Sequence, residues 1–115
     1  MVKGKHLIID LYDCDPVVLN DFDALKTIMQ EALILSKANI LRIIGEKFKP
    51  HGVTLLALLA ESHCSIHTWP EIKYCAIDLY TCGENTDNAK AAEYLKEKLK
   101  SNCFEEKEIE RSLSK

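Results

Sequence analysis

The sequence predicts an α+β fold, a two-layer sandwich in which a mainly antiparallel sheet carries two helices on one face. Three observations lead there. Short apolar segments bounded by turn residues recur along the chain, as strands do. Two other segments space their apolar residues as a helix would. Four of the strand segments follow one another with no helix between them, and such neighbours pair antiparallel because a parallel pair needs a long crossover. Two helices on one face of that sheet complete a two-layer packing.

Leu7–Leu11 reads as the first strand, with Asp13–Pro16 ending it. Asn20 to about Lys37 reads as a helix, capped by Asn20 or Asp21, with Phe22, Leu25, Met29, Leu33 and Ser36 on one stripe. Ile40–Phe48 is rich in β-branched residues and reads as a strand, and Pro50-His51-Gly52 is a turn signal. Val53–Ala60 is a continuous apolar run that suits a buried strand. Cys64–Trp69 is a short strand stopped by Pro70, and Tyr74–Thr81 another stopped by Cys82-Gly83. Asp87 or Asn88 caps a second helix to about Lys100, with Ala91, Ala92, Leu95 and Leu99 as its apolar stripe. Phe104–Ile109 reads either as a charged edge strand or as a short helix. Aliphatic residues on both strand faces predict that a second copy of the chain covers the open sheet face, as a homodimer.

At 115 residues the chain is one domain, 1–115. Its 47% hydrophobic and 29% charged residues describe a soluble globular protein. A net charge of −3 argues against a nucleic-acid partner. No apolar run is long enough to cross a membrane, and Leu7–Leu11, interrupted by Asp10, is too short for a signal peptide. The five cysteines, at 14, 64, 75, 82 and 103, form no CxxC pair. Free thiols fit a reducing compartment, so a cytoplasmic protein is expected, with Cys14, Cys64, Cys75 and Cys103 as packing residues.

The stretch Ala60-Glu-Ser-His-Cys-Ser-Ile-His-Thr-Trp-Pro-Glu71 is the unusual one. It places histidines, hydroxyls, a thiol and two carboxylates directly after a strongly apolar run, where polar groups are either satisfied or functional. Together with Gly52-Val53-Thr54 upstream and Thr81-Cys82-Gly83 downstream, this block resembles the motif series of the short bacterial and archaeal S-adenosylmethionine decarboxylases, in order and in spacing. The resemblance extends over nearly the whole chain.

That resemblance implies a proenzyme which cuts its own Glu61–Ser62 bond. The products would be a chain 1–61 and a chain 62–115 that begins with a pyruvoyl cofactor made from Ser62. The pyruvoyl group would form a Schiff base with S-adenosylmethionine and accept the electrons left by CO2. The product would be the aminopropyl donor for spermidine synthesis. His67 resembles the histidine that assists the self-cleavage, as base and acid for the acyl shift and the elimination, and imidazole suits that role because it exchanges protons near neutral pH. Thr54 stands where the family often has serine and keeps the hydroxyl. Cys82 resembles the thiol that protonates the substrate α-carbon; thiols are mostly protonated at neutral pH. Glu71 resembles the carboxylate that holds the ribose hydroxyls, and Phe48 and Trp69 are aromatic partners for the adenine or the sulfonium.

Other readings are weighed beside this one. His63, Cys64, His67 and Cys82 could be imagined as zinc ligands, but no pair has finger-like spacing, so no metal is expected. A Cys–His nucleophile pair is weaker still. Some archaeal relatives resemble the same scaffold and decarboxylate arginine, and a paralogue that never matures is a third alternative. A geometric difficulty accompanies the favoured reading. Ser62 and His67 are five apart, which puts them on opposite faces of a regular strand, so a bulge or a bend near His63 is expected.

Overall fold

The computed structural model describes residues 3–82 and 84–112; Gly83, read above as a strand stop, lies outside the described residues. The elements in order are β1 (Lys3–Tyr12), α1 (Pro16–Leu19), α2 (Phe22–Leu35), β2 (Ile40–Lys47), β3 (Val53–Leu59), β4 (Ser62–Trp69), a 3-10 turn (Pro70–Ile72), β5 (Tyr74–Cys82), α3 (Asn88–Lys98) and β6 (Cys103–Ser112).

The strands form a six-stranded antiparallel sheet in the order β2-β3-β4-β5-β1-β6. Period-two alternation gives it two unlike faces. Leu7, Ile9 and Leu11 of β1, Val53, Leu55, Ala57 and Leu59 of β3, Cys64 and Ile66 of β4, and Cys75, Ile77 and Leu79 of β5 are all buried on one face. Against them lie Leu25, Met29, Ala32 and Leu33 of α2 and Ala91, Ala92 and Leu95 of α3, forming one core. The α+β two-layer sandwich expected from the sequence is the architecture found.

Local chemistry sets the ends of the helices. Asp21 accepts from the Ala24 N–H at 3.0 Å and starts α2; Asp87 accepts from the Lys90 N–H at 3.3 Å and starts α3. Ser36, read as part of the α2 stripe, is its C-cap; its hydroxyl donates to the Leu33 carbonyl at 2.8 Å. The short α1 was not expected, because Asp15-Pro16 reads as a strand stop. Asp15 caps it and Pro16 stands in its first turn, where a missing N–H costs nothing. Thr68 ties α1 to the sheet: its hydroxyl donates to the Leu19 carbonyl at 2.7 Å and accepts from the Val53 N–H at 2.9 Å.

The last segment resolves as a strand. β6 pairs with β1 from Tyr12 opposite Cys103 to Lys3 opposite Ser112. Lys96 of α3 fastens it by an ion pair to Glu106 and by lying 3.7 Å from the centre of the Phe104 ring. Cys103 corrects the expectation of a packed thiol: it is exposed, because an edge strand has no layer over it at that point. Cys14, Cys64 and Cys75 are buried.

The other face of the sheet is open. Ile44 and Leu56 lie on it opposite one another in register, with Leu58 beside them opposite Arg42, and the three are 58%, 43% and 53% exposed. The apolar run Val53–Ala60 is therefore buried on one side only.

Thr68→Val keeps the side-chain volume but strands the Val53 N–H and the Leu19 carbonyl. Made in a Ser62→Ala background, which removes the expected self-cleavage, it is expected to lower urea-unfolding stability by about 1–3 kcal/mol. An unchanged midpoint would show that the Thr68 tie contributes nothing.

Candidate active site

β3 and β4 are joined by the two residues Ala60 and Glu61, with Leu59 opposite Ser62 in register. Two-residue hairpins favour turns that need positive φ at the first central residue or at both, hence glycine or asparagine. Neither Ala60 nor Glu61 is among the residues with positive φ. The distortion falls instead on Ser62, with φ +152°, a region almost confined to glycine that costs about 1–3 kcal/mol. β4 thus starts at Ser62, two residues earlier than the sequence suggests.

The turn is held from two directions. The Glu61 carbonyl oxygen accepts from the Cys82 N–H at 2.9 Å and from the Cys82 Sγ–H at 2.8 Å. The Glu61 carboxylate accepts from the Asn39 N–H at 2.9 Å and the Asn39 Nδ2 at 2.6 Å, while Ala60 N–H donates to the Asn39 carbonyl at 2.9 Å. Burial works against the Glu61 charge, but the backbone and side-chain hydrogen bonds from Asn39 outweigh it and hold the carboxyl below its ordinary range. Cys82 is itself set at the end of β5 by a small network. Thr81 Oγ1 donates to Asn88 Oδ1 at 2.9 Å, and Asn88 Nδ2 donates to the Lys5 carbonyl at 3.3 Å.

At the other end of the same strands lies a cleft of about 430 Å³ lined by Phe48, His51, Thr54, His67, Trp69 and Glu71, among others. Thr54 and His67 are opposite in register, and Thr54 Oγ1 is 3.0 Å from His67 Nδ1. Glu71 follows Pro70 in the 3-10 turn and its Oε2 is 3.1 Å from His51 Nε2. Trp69 stacks on Tyr74 (5.2 Å between ring centres), and Tyr74 on Tyr12 (5.5 Å). Gly52, at φ +108°, makes the turn at the mouth; its N–H donates to Asn20 Oδ1 at 2.9 Å.

The eight residues singled out from the sequence thus fall into two groups. Glu61, Ser62 and Cys82 meet at one rim of the sheet; Thr54, His67, Glu71, Phe48 and Trp69 share the cleft at the other. The bulge expected near His63 is not there. β4 runs in unbroken register from Ser62 opposite Thr81 to Trp69 opposite Tyr74. Five residues at about 3.3 Å each separate Ser62 from His67 by roughly 16 Å within one chain. The same alternation scatters the imagined zinc ligands, since Cys64 is buried in the core while His63 and His67 face the other way, about 13 Å apart. Burial first, then Asp78, pushes the Cys64 thiol up to about 12, as for an inert packing residue.

Sequence reasoning missed Asn39, whose partner Glu61 is 22 residues away, and it read Asn88 only as a possible cap. No local pattern marks either one.

A two-layer α+β enzyme that keeps its polar chemistry at the rim and on the open face of one antiparallel sheet is the class these features define. Comparison with known proteins narrows the class to a family. The family model for S-adenosylmethionine decarboxylase matches residues 5–112, and the chain belongs to that family. It is 50% identical over 98 residues to the S-adenosylmethionine decarboxylase proenzyme of a Synechococcus species, covering 85% of this chain and 77% of that one. It is 40% identical over 110 residues to the proenzyme of Caldicellulosiruptor saccharolyticus, covering 96% and 89%. The crystal structure of the adenosylmethionine decarboxylase from Aquifex aeolicus superposes with a TM-score of 0.92 at 30% identity, covering 99% of this chain and 94% of that one.

Asn39 favours the charged form of Glu61, so its tie to the turn is complete above the carboxyl's unfolded pKa and is lost as pH falls through the lower, folded one. In a Ser62→Ala chain, Asn39→Ala is expected to move the Glu61 carboxyl titration, followed by NMR, up towards the ordinary glutamate value. No movement would remove the Asn39 side chain as a group that holds the turn.

Proposed function

We propose that this chain is a self-processing decarboxylase of S-adenosylmethionine, cut between Glu61 and Ser62 and completed by a second copy of itself. The observation that carries the reading is the pair of Cys82 hydrogen bonds on the Glu61 carbonyl oxygen, beside a backbone strained at Ser62. Donors at 2.8 and 2.9 Å are where a negative charge on that oxygen needs them.

Ser62 Oγ bonds to the Glu61 carbonyl carbon, and the carbonyl electrons move onto the oxygen under Cys82. Collapse breaks the C–N bond, frees the Ser62 amine and leaves an ester. Loss of the Ser62 α-proton then expels the Glu61 carboxylate as the end of a chain 1–61. Water replaces the nitrogen at position 62, ammonia leaves, and chain 62–115 begins with a pyruvoyl group. The residues present suit that group: a serine is its precursor, and Ser62 is half-buried at the first position of a strand, within reach of a substrate. When formed, it supplies an electron sink for the charge left as CO2 departs. Cys82, released from the old carbonyl, holds the proton that goes to the substrate α-carbon.

The cleft supplies recognition. Phe48 and Trp69 offer exposed aromatic faces for an adenine ring or a sulfonium. Glu71 keeps Oε1 available for ribose hydroxyls while Oε2 meets His51. An arginine substrate would leave the aromatic pair without a role, so the nucleoside is favoured, and the product is the aminopropyl donor for spermidine.

Two half-sites some 16 Å apart on one sheet fit a two-fold dimer. In such a pair the Ser62 rim of each chain meets the partner's cleft, and the open apolar face around Ile44, Leu56 and Leu58 is covered. His67 and Thr54 then act on the other chain's cut. The free thiols of all five cysteines fit a reducing cytosol. No helix among the described residues is long and apolar enough to cross a membrane.

Intact-mass spectra of the purified protein should show fragments 1–61 and 62–115, with CO2 released from S-adenosylmethionine and not from arginine. Ser62→Ala should abolish both cleavage and release; an uncut wild type would support a paralogue that never matures. Co-expressing Ser62→Ala with His67→Ala should restore cleavage of the His67→Ala chain, because the mixed dimer holds one site with both residues. If the two variants stay inert together, the shared site is wrong.

A further inference from the structure

The family resemblance gives His67 both the acyl shift and the elimination, yet the open sheet face holds a different histidine beside the Ser62 Oγ. His63 Nδ1 lies 3.3 Å from Ser62 Oγ, in the same chain. His67, the histidine the family resemblance singles out, is at the far end of β4. His63 is opposite Tyr80 in register, and the two ring centres are 5.8 Å apart. Tyr80 is fixed on both sides. It lies so close over Gly4 that a Cβ there would stand 2.5 Å from the phenol oxygen, and Arg111 covers it at 5.5 Å. His6 meets the His63 ring edge-on at 6.4 Å and is anchored by Asp78 at 2.9 Å. The imidazole beside Ser62 is therefore held by neighbours on β1 and β5.

We propose that His63 is the catalytic base of the acyl shift, receiving the Ser62 Oγ proton as that oxygen attacks Glu61 and returning it to the Ser62 nitrogen as the C–N bond breaks. The proton moves from oxygen to nitrogen of one residue, so a single imidazole next to that residue balances the step and no external acid or base is consumed. The Cys82 donors hold the carbonyl oxygen meanwhile, and the elimination that follows is left to His67 of the partner subunit. Amide-to-ester chemistry and elimination are thereby given to different histidines.

This inference rests on the self-processing reading, and the test separates the two. Cleavage of freshly refolded full-length wild type, His63→Gln, His63→Ala and His67→Ala is followed by intact mass, with hydroxylamine added to parallel samples to open any ester between 61 and 62. His63→Gln is expected to slow cleavage roughly 100- to 10,000-fold and to resist hydroxylamine, because the link is still an amide. His67→Ala is expected to accumulate a hydroxylamine-sensitive link. Added imidazole should speed cleavage of His63→Ala, a gain that a merely structural role would not give and that an unfolded chain could not show. Cleavage of His63→Gln within about threefold of wild type, an ester accumulating in that variant, or no response of His63→Ala to imidazole would overturn the proposal while leaving self-processing standing. A wild type that never cuts would overturn both.

Discussion

The hydrogen bonds from Cys82 to the Glu61 carbonyl fix the place on which the rest of the site depends. They join the β3–β4 turn to the end of β5, two points 21 residues apart. Without that join, a two-residue turn lacking glycine could relax by peeling back from the sheet. With it, and with Asn39 gripping the Glu61 carboxylate, the misfit stays at Ser62 φ. Strain of about 1–3 kcal/mol is small against a typical domain stability but lies on the one bond proposed to break. The same thiol that grips the carbonyl is the one proposed to deliver a proton later, so one side chain serves two steps in succession.

The sheet separates tasks by face and by end. Its covered face is aliphatic and stable, with the Cys64 and Cys75 thiols driven above their ordinary values by burial. Its open face carries the histidines, the aromatic stack and an uncovered leucine and isoleucine patch. Because β4 is regular, the strand acts as a ruler of about 16 Å between the Ser62 rim and the His67 cleft. On the proposed reading, a ruler of that length leaves a lone chain with two half-sites, and the proposed two-fold pairing joins each half to its complement.

Much of the fold was legible because periodicity reports burial. The alternation in Leu7-Ile9-Leu11 and the helical stripe of Leu25, Met29 and Leu33 each name the face that enters the core. The unbroken run of strand segments from Ile40 to Thr81 dictated antiparallel neighbours. The short α1 escaped, because Asp-Pro closes a strand and opens a helix with the same residues. The form of β6 stayed open between an edge strand and a helix until the structure settled it as a strand, since an edge strand exposed on both faces carries no burial pattern.

The sequence by itself determined the fold class, the family resemblance and the eight residues singled out, because local patterning and a dense motif survive without coordinates. Only the tertiary structure decided how those residues are distributed. Register between distant strands sets Cys82 on Glu61, and the loop after α2 brings Asn39 to the same turn. The absence of a bulge in β4 sends His67 away from Ser62 and leaves His63 beside it. These are long-range pairings, fixed by how whole strands align, and no short window of sequence contains them.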